Sequence, residues 1–266
     1  MKTALFPDPP LAHHGQLLLG PTPDGTEYAS YNLFDTSRAH HGLLLCDEFD
    51  GISNLATGIT ASARANYPVN TLYLSNNHYA TNPALPHSTT VTASNPAEHA
   101  DLLTKLESIA SYRDSVAVKN KLCSLIGQMP LLHVIVDGAD QIIHRDAVTR
   151  WFTLAQRGGK LGIAILAVVY TSAARYFAQH TALCASLAQN TIAVGAHVRG
   201  SYTTAKDFGL GDISHLGDSA GRIHQPGLAA PMTFQPFHVR DQAHLLARYP
   251  DAAVDERDRR ILHNQP

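Results

Sequence analysis

The sequence carries little charge and no large excess of either sign. Of its 266 residues 16% are charged, with 20 Lys and Arg against 22 Asp and Glu, a formal net charge of −2 and a pI near 6.7. Gripping a nucleic-acid backbone takes clustered cations, because neutralised phosphates supply most of that affinity. No basic stripe runs through the chain, so nucleic acid is not expected as a partner. Cysteine is scarce too. Cys46, Cys123 and Cys184 are odd in number, widely spaced and without a CxxC pair, which excludes a disulfide framework and fits reduced thiols in a cytoplasmic protein. Long apolar runs are missing. The longest, 161–170, has ten residues, against the roughly 20 that a membrane-spanning helix needs. Residues 1–10 have neither the basic start nor the apolar stretch of a signal peptide. Direct membrane insertion is therefore not expected. Histidine is frequent, at 16, but His13-His14 and His40-His41 are adjacent pairs in loop-like sequence, not helical i, i+4 pairs. No metal site is expected from them.

What is present is alternation. The chain is 44% hydrophobic and long enough for one large α/β domain. Residues 17–20 and 28–33 read as a strand pair around a Pro23-Asp24-Gly25 turn. A short apolar strand at 41–46 precedes a polar loop at 47–54 and a helix over 55–65. Strands follow at 70–74 and 87–92. Asn95, Pro96 and Glu98 form an N-cap, first-turn and capping-box signature that opens a helix to Tyr112, with Leu102, Leu103, Leu106 and Ile109 on its buried face. Then come a strand at 131–136 ending in Asp137, a helix over 145–157, a strand at 162–169, a helix over 173–188, a strand at 191–194 and a loop-rich tail. The central strands are apolar on both faces, as a parallel sheet covered by helices requires. The expected fold is α/β, doubly wound, with a mostly parallel sheet flanked by helices. It forms one domain over 1–266: entry strands to 35, a core over 36–245 and a tail over 246–266.

Strand, Gly-containing loop and helix is the layout of a phosphate-binding βα unit. A working Walker A loop, G-x-x-x-x-G-K-[ST], uses its glycines to bring backbone N–H groups to phosphate, its Lys to reach the β/γ oxygens and its hydroxyl to hold Mg2+. At that spacing the chain has Cys46, four residues, Gly51, Ile52, Ser53 and Asn54. Ile52 brings no charge, and Asp47, Glu48 and Asp50 add carboxylates where a polyanion would sit. Those three acids are open to a second reading, as a site for a cation or basic partner, or simply a solvated loop. Walker B is an apolar strand ending in Asp, followed by a Glu that positions the attacking water. Here His133-Val134-Ile135-Val136-Asp137 provides strand and Asp, and Gly138 follows, which cannot act as a base.

The order of parts resembles the FtsK/SpoIIIE family of P-loop ATPases over about residues 15–245. The basic glycine turn Arg157-Gly158-Gly159-Lys160 leads into an apolar strand, as in that family, but Val168 and Val169 stand where a Thr-Gln sensor of the γ-phosphate would be. Leu85-Pro86-His87, Val91-Thr92, Asn95-Pro96-Ala97-Glu98 and Arg113 match further family segments. The family's Asp-Pro-Lys is replaced by Ser75-Asn76-Asn77. Gly217 to Ile223, Pro231 to Gln235 and Phe237-His238-Val239 look like its closing strands. Thr171 to Tyr176, Asn190 to Val194 and Phe208 to Gly221 are similar to the last ATPase module of the EssC/EccC motors of type VII secretion, itself often degenerate.

The resemblance implies a RecA/FtsK-like P-loop fold with no catalytic residues. Cys46, Gly51, Ile52, Ser53 and Asn54 would be a degenerate nucleotide loop, and Asp137 and Gly138 a degenerate Walker B. No cofactor is expected beyond weak Mg-ATP. The implied role is a docking or regulatory module whose partners are other domains or subunits of a secretion motor, or secreted substrate helices. It would be cytoplasmic, associated with the membrane only through a parent motor. Two competing readings remain at this point. A DNA translocase domain of the conjugation or chromosome-segregation kind would need the missing Lys and Glu. An unrelated hydrolase could use Ser53, His87 and Asp137, but no G-x-S-x-G elbow presents the serine.

Overall fold

A computed structural model describes residues 4–46, 52–76, 82–144, 147–170, 177–194, 208–213, 216 and 220–265. Its centre is an eight-stranded sheet of order β11-β10-β9-β4-β8-β7-β5-β6. The strands are β4 (Gly42–Cys46), β5 (Val69–Ser75), β6 (Val91–Ala93), β7 (Leu131–Asp137), β8 (Ile163–Tyr170), β9 (Thr191–Val194), β10 (Gly221–His224) and β11 (Met232–Phe234). From β9 to β6 every pairing is parallel, and β10 and β11 close one edge antiparallel. All residues of β4, β5, β7 and β8 are buried. Their alternate side chains therefore feed two cores.

Leu43 and Leu45 pack with Leu103, Trp151 and Leu262 on one face. Leu44 and Cys46 pack with Leu55, Ile59 and Leu246 on the other. The first face is covered by α2 (Pro96–Asn120), α4 (Ala147–Gly158), α5 (Thr181–Leu187) and α7 (Glu256–Leu262). The second is covered by α1 (Ile52–Asn66), α6 (Gln242–Arg248) and a small antiparallel sheet of β1 (Ala12–His13), β2 (Gln16–Pro21) and β3 (Tyr28–Asn32). A one-turn α3 (Ala139–Ile142) follows β7.

Several expectations need correction. The helix opened by Asn95 does not stop at Tyr112. Asn95 Oδ1 accepts from Ala97 N and Glu98 N, as its sequence signature requires, but α2 runs on to Asn120 and ends at Lys121 in the left-handed region. Arg113 interrupts the apolar stripe and hides this continuation. It lies fully buried because Asp258 of α7 accepts from its Nε at 3.0 Å and Nη2 at 2.6 Å, while the carbonyls of Leu161 and Pro130 accept at 2.8 Å each. The run at 87–92 splits into a 3-10 turn (Leu85–His87) and β6. Of the helix expected over 173–188, residues 173–176 lie outside the described residues, and α5 begins only at Thr181, after His180 has left helical geometry. The tail is not loop alone, since it contains α6 and α7.

Buried amides join the small sheet to the large one. Asn190 Nδ2 donates to Asn32 O and His41 O, and its Oδ1 accepts from Asn32 N and Gln225 Nε2, all at 2.8–2.9 Å. Fully satisfied buried polar groups of this kind fix one arrangement of neighbouring elements.

Candidate functional site

The carboxyl ends of parallel strands are where open α/β sheets present ligands. Three of them converge here. In register, Ser75 faces Asp137 and Asp137 faces Val168. Period-two alternation then places Tyr73, Asp137 and Tyr170 on the α1 side of the sheet. Tyr73 Oη donates to Asp137 Oδ2 at 2.5 Å, and Tyr170 Oη donates to Asp137 Oδ1 at 2.7 Å. Burial, followed by the adjacent Asp137 charge, pushes the Tyr73 phenol well above its ordinary pKa, so it stays a proton donor to the carboxylate. Gly138 follows with φ at +84° and starts α3. A left-handed residue at that point favours glycine and strains a glutamate.

The first turn of α1 faces this group across a cavity of about 10 Å3 lined by Ser53, Tyr73, Asn82, Ile135, Asp137 and Val168. That is room for about one water. Ser53 does not point its hydroxyl at Asp137 as a donor: Oγ donates to Gln242 Oε1 at 2.7 Å. Asn54 Nδ2 donates to Phe237 O, and Asn54 Oδ1 accepts from Val239 N at 2.6 Å. Asn82 Nδ2 donates to Ser53 O at 2.9 Å and Thr57 Oγ1 at 2.7 Å. Cys46 is buried at the end of β4, where its thiol donates to Val169 O. Gly51, Asp47, Glu48 and Asp50, with the Ile52 side chain, lie outside the described residues. Among the described residues the space between Ser53 and Asp137, as arranged, is too small for a hydrated Mg2+, and each Asp137 oxygen accepts from a phenol.

The spacing in the sequence names Asp137, Ser53 and Asn54, but not the groups that bond to them. Tyr73, Tyr170, Asn82 and Gln242 carry no local signal; tyrosine in a strand is ordinary β propensity. His87 does not line the cavity between Ser53 and Asp137, so the imagined triad is not assembled.

A second concavity, about 450 Å3, lies on the opposite face between α2 and α4. Leu103, Ile142 and Trp151 form its floor, and His99, His144 and Arg150 stand at its rim. Arg150 is engaged by Glu107 through bonds of 2.9 and 2.6 Å. Asn76 Nδ2 donates to Gln141 Oε1 at 3.0 Å. Among the described residues no cluster of His, Cys, Asp and Glu could hold a metal ion, and no helix is long and apolar enough to cross a membrane.

No family model matches the chain, and no curated protein matches it by sequence. Solved structures do match. The chain is similar to the cytoplasmic domain of the type VII secretion ATPase EccC of Thermomonospora curvata, with 14% identity and a TM-score of 0.71 over 91% of this chain and 31% of that one. EccC ATPases 2 and 3 in complex with a signal sequence peptide give 13% identity and a TM-score of 0.64, covering 85% of this chain and 41% of that one. The pCW3 conjugation coupling protein TcpA with ATPγS gives 12% and 0.68, covering 93% and 74%. The chain spans less than half of the EccC structures it matches. At these identities the likeness is one of fold. The chain has the FtsK-like P-loop ATPase fold, with a mostly parallel eight-stranded sheet flanked by helices.

Proposed function

We propose that this domain is a catalytically degenerate member of the P-loop ATPase fold, serving as a docking or regulatory module of a type VII protein-secretion motor. The observation that carries the reading is the state of Asp137. Where a working site would present a carboxylate to Mg2+, both oxygens accept from tyrosine hydroxyls. The position that would supply a water-positioning Glu holds a left-handed Gly138. The missing Lys at Ile52 and the acids at 47, 48 and 50 support the same conclusion, because phosphoryl transfer depends on positive charge around the β/γ oxygens. Mg-ATP is at most a weak ligand in this reading.

Docking is supported by the groove between α2 and α4, whose apolar floor and polar rim suit one face of a partner helix. One EccC structure of this fold contains a signal sequence peptide, which supports motor subunits or secreted substrate helices as the partner class. The domain acts in the cytoplasm, at the membrane only through its parent motor.

Phosphate release from Mg-ATP by the purified chain tests the enzymatic half. Release at the no-protein background is expected. Turnover abolished by Ser53→Ala would overturn it and favour an ATP-dependent DNA translocase of the conjugation or chromosome-segregation kind. A photo-crosslinker at Ala100 in the groove tests the docking half. Adducts with motor subunits or substrate are expected, and adducts formed only from a control position on β3 would contradict it.

A further inference from the structure

The first turn of α1 is held by a segment nearly two hundred residues downstream. Ser53 Oγ donates to Gln242 Oε1 at 2.7 Å, and Thr57 Oγ1 reaches the same oxygen at 3.4 Å. Asn54 grips the chain just before α6 on both sides, through Phe237 O and Val239 N. Asn82 holds the turn from the other flank through Ser53 O and Thr57 Oγ1. These two flanks are also the walls of an open apolar groove of about 360 Å3, in which Pro83, Ala84 and His87 face Ala243, Leu246 and Ala247 of α6. Helix α6 therefore has this groove on one side and the α1 turn on the other, with Leu245 and Leu246 packed in the core. With seven residues it is too short to be stable undocked. Beyond it, Asp251 is anchored to Thr71 N and Thr90 N.

We propose that residues 237–245 are a latch on the first turn of α1, with Gln242 as its catch. Closed, the latch takes the Ser53 hydroxyl proton and excludes a ligand acceptor that would need it. Open, the Gln242 side chain turns away and the Ser53 proton is released, while Leu245, Leu246 and Asp251 keep the segment anchored. Coupling of this kind is reciprocal. A ligand acceptor that takes the Ser53 proton opens the latch, and a partner that draws Gln242 away frees that proton. The latch does not require that nucleotide binds or is hydrolysed.

Hydrogen exchange followed by mass spectrometry on the full chain tests this. Gln242→Ala removes the catch, and Gln242→Glu keeps the accepting oxygen. In Gln242→Ala, amides of 53–57 and 237–245 should exchange faster, by roughly three- to tenfold, the worth of one net hydrogen bond. Amides of β7 and α2 should be unchanged. Gln242→Glu should exchange like the parent. Ser53→Ala should reproduce the Gln242→Ala pattern, and the double variant should go no further. Unchanged exchange at 53–57, a rise spread over β7 and α2, or a Glu variant that behaves like Ala would each overturn the latch.

Discussion

Replacing Asp251 by alanine should destabilise the whole domain, although the residue lies in the tail. Its Oδ1 accepts from Thr71 N at 2.9 Å and Arg64 Nε at 2.8 Å; its Oδ2 accepts from Thr90 N at 2.8 Å and Thr90 Oγ1 at 2.7 Å. The Arg64 side chain is 0% exposed and that of Asp251 12%. Alanine leaves a buried guanidinium without its counter-charge and takes an acceptor from Thr71 N and the Thr90 hydroxyl, while Thr90 N keeps the Thr71 carbonyl at 3.0 Å. Breaking one partner of such a pair costs about 3–5 kcal/mol. In a chain of this size 1 kcal/mol moves Tm by about 2–4 °C, so the expected fall is about 6–20 °C. Calorimetric melting measures it directly. Asp251→Asn keeps an accepting oxygen and should fall less. Arg64→Met combined with Asp251→Ala removes the stranded charge and should recover part of the loss, a coupling that a double-mutant cycle isolates. A shift under about 2 °C for Asp251→Ala, or a double variant as unstable as the sum of the singles, would refute the reasoning.

Arg113→Leu should cost a similar 3–5 kcal/mol or so, because it strands the buried Asp258 carboxylate and the carbonyls of Leu161 and Pro130; denaturant melts measure it. Acid should weaken the fold between about pH 6.5 and 4. Burial pushes the imidazoles of His41 and His133 down to about 4, opposed at His41 by its bond to the Ala155 carbonyl and helped by Arg38 there and by Arg64 at His133. The unfolded chain binds those protons near pH 6.5, the native chain only near 4. The stability they allow is thus complete above 6.5 and lost on the way down, by about 3 kcal/mol each when the difference is converted at 1.36 kcal/mol per unit. His133→Leu should flatten part of that slope at little cost at pH 7.5, since neither ring nitrogen has a hydrogen-bond partner among the described residues. His41→Leu should cost stability at pH 7.5, because His41 Nε2 donates to Ala155 O at 2.7 Å and Nδ1 accepts from Ile165 N at 3.0 Å. Gly138→Glu should lower Tm through left-handed strain of about 1–2 kcal/mol without creating ATPase activity.

The sheet was legible because β4, β7 and β8 are apolar on both faces and no other arrangement covers such strands. The start of α2 was legible because caps are local: Asn95, Pro96 and Glu98 are neighbours in sequence. Its end was not, because the group that allows Arg113 into the core is Asp258, 145 residues away. The same holds at the site. Asp137 and Ser53 are named by spacing, but their hydrogen bonds depend on Tyr73, Tyr170 and Gln242, which only the fold brings to them. Helices α6 and α7 were missed because seven residues give too few turns for a 3.6-residue period to stand out.

Isothermal titration of the purified chain with Mg-ATP bears most directly on the degenerate site. With Asp137 held by two phenols, Ser53 held by Gln242 and no lysine at position 52, the expected result is heat no larger than dilution up to millimolar nucleotide. Saturable micromolar binding that Asp137→Asn or Ser53→Ala abolishes would contradict the account.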